Sequence, residues 1–266
     1  MEKIKESFVA FIDVLGFKEL VYSETGNGEK LAVIKTAIEK ATDSLRSKRE
    51  EPNSPYKFWF DEFKVKSFSD CFCFSVPLEF ENGSKTYKQN LVAFYVWLMV
   101  FYNEMLSKGF LCRGGIAQGW HYVDENIIFS RAQVDAYQTE SKIAIHPIIA
   151  LHQSIIDGIH AENLNQTFYY KYMFGHDNAG RNFLHPFNYS IVDELFFGFR
   201  NGQPIQKDLD ERKELLLMYL NIIEKKISRD AGNSFVDKSQ WLKEFIYYTI
   251  EGKYDDKFNS GLSIPI

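Results

Sequence analysis

The sequence lacks any long hydrophobic run, and it is poor in histidine and proline, with 6 His and 7 Pro among 266 residues. Its longest apolar run, residues 91–102, is shorter than the ~20 residues that a transmembrane helix needs. The first residues also lack the hydrophobic region of a secretory signal peptide. We therefore expect no membrane partner and a cytoplasmic location.

Cysteine is scarce as well, and positive charge is outnumbered by negative charge. The three cysteines are an odd number and stand in apolar runs, which predicts reduced and buried thiols in a cytosol. The spacing Cys71-x-Cys73 does not match a zinc site. The net charge of −5 and the pI of 5.8 disfavour a nucleic-acid duplex as the main partner. They leave open a nucleotide whose phosphates bind through metal ions.

Aromatic residues, in contrast, are abundant. They make up 16% of the chain, with 24 Phe and 15 Tyr, and 45% of all residues are hydrophobic. This composition excludes disorder for most of the chain and supports one large core, with or without a helical appendage. We interpret residues 1–175 as a catalytic core and residues 176–266 as a mostly helical C-terminal extension packed on it.

Hydrophobic periodicity and turn residues predict the order of helices and strands. The apolar run from Phe8 to Asp13 predicts a central strand buried on both faces. Residues 58–76 predict two strands joined by a tight turn near Ser69-Asp70. Residues 110–119 and 120–129 predict a second hairpin, and 143–150 a short strand. Predicted helices span residues 18–22, 29–49, 86–106, 132–142, a segment up to about 160, 209–227 and 238–250, with a loop at 50–57 and an exposed tail at 253–266. This order predicts an α+β fold with a ferredoxin-like core, an antiparallel-rich sheet with helices packed on it.

Two aspartates stand at the ends of predicted strands. Asp13 closes the apolar run of the first strand, and Asp70 precedes the apolar residues 71–74. An unpaired buried charge is costly, and two neighbouring carboxylates repel each other unless a positive charge lies between them. A pair of divalent ions held by both carboxylates would relieve this repulsion. The alternative is that Asp13 caps a helix and that Asp70 forms an Asx-turn.

The turn after Asp13 favours the metal site. Gly16 lets the backbone approach a ligand closely, and the free N–H groups of the helix that follows point to where a triphosphate would lie. A strand, an aspartate, a glycine and the start of a helix together indicate a site for metal ions and phosphates. We therefore predict that Gly16 and Phe17 bind the substrate.

Four segments in this order are similar to class III nucleotidyl cyclases. Residues 11–17 (FIDVLGF) resemble the first metal-binding segment of that family, and residues 64–72 (KVKSFSDCF) resemble its second metal-binding hairpin. Residues 113–119 (RGGIAQG) resemble its Arg-x-Gly-Ile strand. The pattern A-x-x-x-A-Y-x-x-E at residues 132–140 resembles a narrower branch, the bacterial pyrimidine cyclases of Pycsar anti-phage signalling. Residues 183–189 and 241–243 are also similar to that branch.

The resemblance implies a metal-dependent enzyme. In this family two divalent ions, Mn²⁺ or Mg²⁺, are held by two aspartates and by the backbone carbonyl after the first, and these positions match Asp13, Asp70 and Val14. The enzymes are homodimers with nucleotide sites at the interface. The branch converts UTP or CTP to the 3′,5′-cyclic monophosphate and diphosphate. Its product acts on a separate cyclic-nucleotide-gated effector that disables the infected cell.

The chain departs from the family where the transition state is stabilised. Class III cyclases carry an Asn and an Arg, four residues apart, on the helix after the Arg-x-Gly-Ile hairpin. Val134 and Gln138 occupy those positions here, and neither can neutralise charge on a phosphate. Another cation must serve, and the candidates are Arg113, Arg131 and Lys142. We predict Arg113 as a catalytic residue; the alternative is that it forms a salt bridge or a dimer contact.

Three further residues bear on the second turn and on the choice of base. The usual glycine before the second aspartate is Ser69. Lys66 matches a position that helps to select the base in the wider family, although it could instead point to solvent. A lysine only donates hydrogen bonds, so it suits uracil O4 and not the N4 amine of cytosine, which favours UTP. Tyr137 stacks on the base or lies in the dimer interface. Two other functions stay open: a purine nucleotide cyclase, and a catalytically silent nucleotide-binding dimerisation module.

Overall fold

The computed structural model describes residues 4–22, 26, 28–29, 31–36, 39–40, 62–78, 86–164, 173–187, 199–200, 203–204, 209–229, 235–251 and 257–260. The chain divides into two compact units, Met1–Glu162 and Asn163–Ile266. Among the described residues, no helix has the length and apolar character needed to cross a membrane. The predicted limits of a catalytic core at 1–175 and an extension at 176–266 concern function as well as folding, and they stay predictions.

The described strands of the first unit form a sheet around the buried strand β1. In chain order they are β1 (Lys5–Leu15), β2 (Lys64–Phe68), β3 (Cys71–Pro77), β4 (Leu111–Val123), β5 (Ile128–Ser130) and β6 (Ile149–Leu151). Their order in the sheet is β6-β4-β1-β3-β2, and β5 pairs with β4. These pairings are antiparallel except that of β4 with β6, which is parallel. The predicted α+β class with an antiparallel-rich sheet is confirmed.

Helices cover both faces of this sheet. They are α1 (Phe17–Tyr22), α2 (Tyr87–Ser107), α3 (Arg131–Ile143) and α4 (Gln153–Ala161). Because successive side chains of a strand point to opposite faces, Phe8 and Phe11 of β1 lie on different sides. The Phe8 ring packs 6.0 Å from that of Phe94 in α2, and the Phe11 ring packs 5.3 Å from that of Tyr137 in α3. We call these sides the α2 face and the α3 face.

Local sequence accounts for the central strand and for α2. Residues 8–10 and 12 of β1 are fully buried, as expected for a strand with apolar side chains on both faces. Thr86 precedes α2, and its side chain accepts a hydrogen bond from the N–H of Gln89, while the Gln89 side chain accepts one from the N–H of Thr86. This capping box satisfies donors that the helix leaves unpaired. The predicted central strand, the predicted helix at 86–106 and the tight turn at Ser69-Asp70 are confirmed.

The hairpin predicted from residues 110–119 and 120–129 is formed by β4 and β5, but its predicted division between residues 119 and 120 is wrong. β4 continues through Gly119 and Trp120 as one strand, and the chain turns only at residues 124–127. The carboxylate of Asp124 accepts hydrogen bonds from the N–H groups of Asn126 and Ile127, both at 2.8 Å. That side chain therefore makes the turn. Gly119 instead lies within the strand, next to Ala132 at the start of α3.

The second unit contains two long helices and short strands. In chain order its described elements are β7 (Phe174–Asp177), β8 (Asn182–Leu184), β9 (Phe199–Arg200), β10 (Gln203–Pro204), α5 (Leu209–Arg229), α6 (Val236–Ile250) and β11 (Phe258–Ser260). The helices α5 and α6 confirm the predicted helices at 209–227 and 238–250. Within this unit, β7 pairs antiparallel with β8 and with β11.

The prediction of an exposed tail at 253–266 is wrong for its described part. Phe258 is only 1% exposed, and its strand β11 adds an edge to β7. The ring of Phe258 lies 5.3 Å from that of Trp241 and 4.8 Å from that of Phe245 in α6. Burial of these aromatic rings holds the segment in place.

Several predictions fall partly or wholly outside the described residues. Of the predicted helix at 29–49, the described residues 29, 31–36 and 39–40 are helical. The predicted loop at 50–57 lies outside the described residues. The strand predicted within 143–150 is confined to β6, because α3 continues to Ile143 and the chain turns before Ile149. The helices predicted at 18–22, at 132–142 and up to about 160 correspond to α1, α3 and α4.

Candidate functional site

The two predicted metal-binding aspartates come from neighbouring strands. Asp13 lies near the end of β1, between Cys71 of β3 and Arg113 of β4 in the sheet register. Asp70 occupies the tight turn that joins β2 to β3. The N–H of Val14 donates a hydrogen bond to the Asp70 carbonyl at 3.0 Å, which fixes the turn against the end of β1.

The side chains of the two aspartates converge. A carboxylate oxygen of Asp13, one of Asp70 and the Sγ of Cys71 all lie within 4.8 Å of one another. The Cys71 thiol donates to Asp70 Oδ1 at 3.6 Å. The fold therefore brings two carboxylates to one point, as their positions at the ends of strands predicted, and adds the thiol of Cys71, which was predicted only as a buried core residue.

The turn before Asp70 has a backbone conformation that favours glycine. Ser69 has a φ of +55°, in the left-handed region that costs an L-residue other than Gly roughly 1–2 kcal/mol. The replacement of the usual glycine by Ser69 therefore leaves the shape of the turn intact, at some cost in stability. Gly16, after β1, also has a positive φ, of +81°, and the chain enters α1 directly after it.

The electrostatics of the cluster show an excess of negative charge. Burial raises the pKa of the Asp13 carboxyl, and the charge of Asp70 raises it further. The Arg113 guanidinium acts in the opposite direction and does not compensate fully. Burial, followed by the charges of Asp70 and Asp13, raises the pKa of the Cys71 thiol to about 12. A cation placed among these groups would favour their ionised forms.

Arg113 links Asp13 to a second carboxylate. Its Nε donates to Asp13 Oδ2 at 3.3 Å and forms an ion pair with Glu140 Oε1 at 2.6 Å. Glu140 lies on the buried side of α3, with its side chain only 3% exposed. The guanidinium thus lies between one carboxylate of the candidate metal site and one of the helix that covers it.

Glycine on β4 makes this contact between strand and helix possible. A Cβ on Gly115 would lie 2.1 Å from the Ala136 carbonyl oxygen and 2.7 Å from the Glu140 nitrogen, distances that real atoms do not adopt. α3 can approach β4 this closely only because residue 115 has no side chain. Glu140 belongs to the motif at residues 132–140 but is not among the predicted site residues. Its signal was a charged residue four positions after Ala136 and eight after Ala132, on the apolar side of α3.

The other predicted residues lie around this cluster with contacts of their own. Lys66 Nζ donates to the Glu125 carbonyl at 2.9 Å, so it contacts the turn between β4 and β5. Tyr137 is 53% exposed, and its ring meets Phe11 edge-on, two residues before Asp13 on the same face. Gly16 and Phe17 form the junction of β1 and α1. No described contact joins these residues to the carboxylate cluster.

The candidates for a transition-state cation differ in position. Arg131 pairs with Asp135 at 3.6 Å, and Lys142 Nζ lies 3.5 Å from Gln138 Oε1. Neither of these described contacts reaches the aspartates, whereas Arg113 contacts Asp13 directly. The salt bridge that was the alternative for Arg113 is present.

The donor set fits a divalent cation. Two partly buried carboxylates converge, burial and then the charge of Asp70 raise the pKa of Asp13, and carboxylate oxygens are the ligands that Mg²⁺ and Mn²⁺ prefer. Asp13 and Asp70 are therefore the residues that can hold such an ion.

Comparisons with known proteins give likenesses of fold. No family model and no curated protein matches the sequence. A solved bacterial light-regulated adenylyl cyclase is similar over 76% of this chain and 100% of its own, with 13% sequence identity and a TM-score of 0.45. A class III adenylyl cyclase-like ATP-binding protein from Pseudomonas aeruginosa is similar over 58% of this chain and 35% of its own, with 11% identity and a TM-score of 0.35.

Proposed function

We propose that this chain is a metal-dependent nucleotidyl cyclase that converts a pyrimidine nucleoside triphosphate, UTP in preference to CTP, to the 3′,5′-cyclic monophosphate and diphosphate. The observation that carries the proposal is the convergence of Asp13, Asp70 and Cys71, with ligand atoms within 4.8 Å. The four sequence segments similar to class III cyclases support it. The two aspartates lie in the first two of those segments.

The proposed reaction forms one bond and breaks one. The ribose 3′-oxygen bonds to the α-phosphorus, the bond from that phosphorus to diphosphate breaks, and the 3′-hydroxyl proton is released. When bound, two divalent ions, Mn²⁺ or Mg²⁺, lower the pKa of the hydroxyl and neutralise the leaving group. Asp13, Asp70 and the Val14 carbonyl would hold these ions. No nucleophilic side chain is required.

The remaining residues have roles in binding and charge. Arg113 brings a positive charge to Asp13 and is our candidate for stabilising charge on the phosphates. Gly16 and Phe17 let the backbone approach the triphosphate. Lys66 would exchange its hydrogen bond to the exposed Glu125 carbonyl for one to uracil O4, an exchange that costs little at a solvated position. Tyr137 has half of its surface free to contact a base or a second subunit.

The biological setting that we propose follows from the sequence resemblance. The protein acts in the cytoplasm as a homodimer with its sites at the interface, and its product acts on a separate cyclic-nucleotide-gated effector in anti-phage defence. The exposed Val134 and Tyr137 of α3 suit a contact with a second subunit.

Incubation with each of ATP, GTP, CTP and UTP in the presence of Mn²⁺ tests the proposal. We expect cyclic product and diphosphate from UTP first and from CTP second. Asp13→Asn and Asp70→Asn should each lower turnover at least about 100-fold, because bound metal supplies several kcal/mol of charge stabilisation. Asp157→Asn, at an exposed carboxylate of α4, is the matched control and should have no effect. Full turnover in either site variant contradicts the mechanism, and cyclic product from ATP or GTP alone contradicts the pyrimidine assignment.

A catalytically silent nucleotide-binding module is the second candidate. Val134 and Gln138 are exposed on α3 where the family has its Asn and Arg, so the chain lacks that pair of transition-state ligands. Calorimetric titration with UTP and Mn²⁺ separates the two functions. Tight, metal-dependent binding without release of diphosphate would favour the silent module over the cyclase.

A further inference from the structure

Glu140 is a buried carboxylate that the proposed reaction does not use. Its side chain is 3% exposed, and a carboxylate so far from water is costly unless it is paired. Glu140 Oε2 accepts a hydrogen bond from the Ser141 hydroxyl at 2.9 Å, and Oε1 forms the ion pair with Arg113 at 2.6 Å. Arg113 is therefore its charged partner.

The charge of Arg113 is shared between two carboxylates. The same Nε that lies 2.6 Å from Glu140 also donates to Asp13 at 3.3 Å. Asp13 is one of the two proposed metal ligands. A divalent cation that binds Asp13 must therefore take the place of a guanidinium that already neutralises part of its charge.

The two carboxylates lie on fixed elements, and the arginine side chain is the adjustable part. Asp13 and Arg113 are direct partners in the register of β1 and β4. Glu140 is fixed by the close approach of α3 to β4 at Gly115. Small rotations of the long arginine side chain can therefore shift the guanidinium from one carboxylate towards the other without movement of the backbone.

We propose that Glu140 is a positioning residue that retains Arg113 when a divalent cation takes over Asp13. This inference rests on the proposed metal site. With Glu140 present, the guanidinium of Arg113 still has a carboxylate partner when Asp13 binds the cation. Without it, Asp13 is the remaining carboxylate partner of Arg113 among the described residues, and the arginine competes with the cation.

Binding of Mn²⁺ without nucleotide, followed by the electron paramagnetic resonance of free Mn²⁺, tests the proposal. We compare the wild type with Glu140→Gln, Arg113→Gln and the double variant. Glu140→Gln should weaken Mn²⁺ binding about tenfold, the size of coupling typical of residues in one ionic network. In the Arg113→Gln background the same substitution should have no further effect, because the competing guanidinium is gone.

Asp135→Asn is the matched control for loss of charge. Asp135 lies on the same helix but pairs with Arg131, so its neutralisation should leave Mn²⁺ binding unchanged. An equal loss of affinity in Asp135→Asn and Glu140→Gln would overturn the proposal. So would a Glu140→Gln effect of the same size with and without Arg113, since Glu140 would then act through its own charge.

If Arg113→Gln does not fold, a second measurement tests the proposal without this variant. The Nε–H resonance of Arg113 can be followed by nuclear magnetic resonance while Mg²⁺ is added to the wild type and to Glu140→Gln. We expect the resonance to shift as Mg²⁺ binds in the wild type, and to shift only at about tenfold higher Mg²⁺ in the variant. Binding of Mg²⁺ through Asp13 without any change in this resonance would contradict the proposal.

The outcomes also separate this inference from the proposed function. If Asp13→Asn leaves Mn²⁺ binding unchanged, the metal site itself is wrong and the inference falls with it. If Mn²⁺ binding requires Asp13 but not Glu140, only the role of Glu140 is wrong.

Discussion

The two faces of the first sheet arise from the same strands and differ in chemistry. Along β3, Phe72 and Phe74 point to the α2 face, and Cys71 and Cys73 point to the α3 face. The ring of Phe101 in α2 lies 5.1 Å from that of Phe72 and 4.9 Å from that of Phe74. The α2 face is thus filled by large aromatic side chains, which stabilise the unit by burial.

The α3 face uses small residues and charges instead. Gly115 lets the helix approach the strand, Cys73 packs with Val9 and Ala132, and Asp13 lies next to Arg113. We infer that the α2 face supplies most of the apolar burial, and that the α3 face can therefore hold charged groups at short distances. Stability and the proposed chemistry should therefore respond to different substitutions.

The largest expected effect is on the α2 face. Phe101→Ala should lower the free energy of unfolding by about 3–5 kcal/mol, because it removes a buried ring and leaves a cavity. Turnover per folded molecule should stay at the wild-type value, since the ring lies on the other side of the sheet from the aspartates. Urea denaturation and turnover at low temperature measure the two quantities. A fall in turnover that matches the fall in stability would show that the faces are coupled.

A titratable group on the α3 face, His121, is expected to make stability depend on pH. His121 of β4 is 5% exposed, and neither of its ring nitrogens has a hydrogen-bond partner among the described residues. Burial lowers its pKa to about 4, below the unfolded value of about 6.5. Above pH 6.5 the ring is neutral in the folded and in the unfolded protein, and its burial contributes its full stability. As the pH falls from 6.5 to 4, the unfolded state binds a proton that the folded state does not bind, and the free energy of unfolding falls by up to about 3 kcal/mol.

His121→Leu tests this dependence. The variant should lose less stability than the wild type when unfolding is measured between pH 6.5 and 4. Parallel curves for the two proteins would show that His121 titrates alike in the folded and unfolded states. Burial also lowers the pKa of His185, in the second unit, to about 4. His185 is present in both proteins, so its effect on stability cancels when the two curves are subtracted.

Substitution of Gly115 is expected to affect stability less than Phe101→Ala does, and to affect function more. Gly115→Ala should cost roughly 1–3 kcal/mol, as overpacking does, and should push Glu140 away from Arg113. Mn²⁺ affinity and turnover should fall with it. Gly119→Ala is the control, because a Cβ there would meet Ala132 at an ordinary 3.7 Å. If the two variants behave alike, the close approach at Gly115 has no part in the site.

Most of the fold and the position of the aspartates can be predicted from local sequence patterns. The apolar run of β1, the turn at Ser69-Asp70 and the helix that begins after Thr86 each depend on patterns within a short stretch of chain, so the sequence alone predicts them. The continuity of strand β4 was not predicted because Gly119, at which the predicted hairpin divides, is typical of a turn. The strand instead continues because Gly119 pairs with Ser7 of β1, a partner distant in sequence.

The ion pair of Arg113 and Glu140 could not be predicted either. It requires the distance between β4 and α3, which Gly115 sets through packing. Phe258 was missed for a similar reason, because its burial depends on the rings of α6. What the sequence leaves undetermined is the set of contacts between elements far apart in the chain.

A crystal soaked in Mn²⁺ and measured at the manganese absorption edge tests the central claim most directly. The anomalous difference map should show a peak bound by the carboxylates of both Asp13 and Asp70, and Asp13→Asn should remove it. Saturating Mn²⁺ that leaves no peak between these two carboxylates would contradict the account.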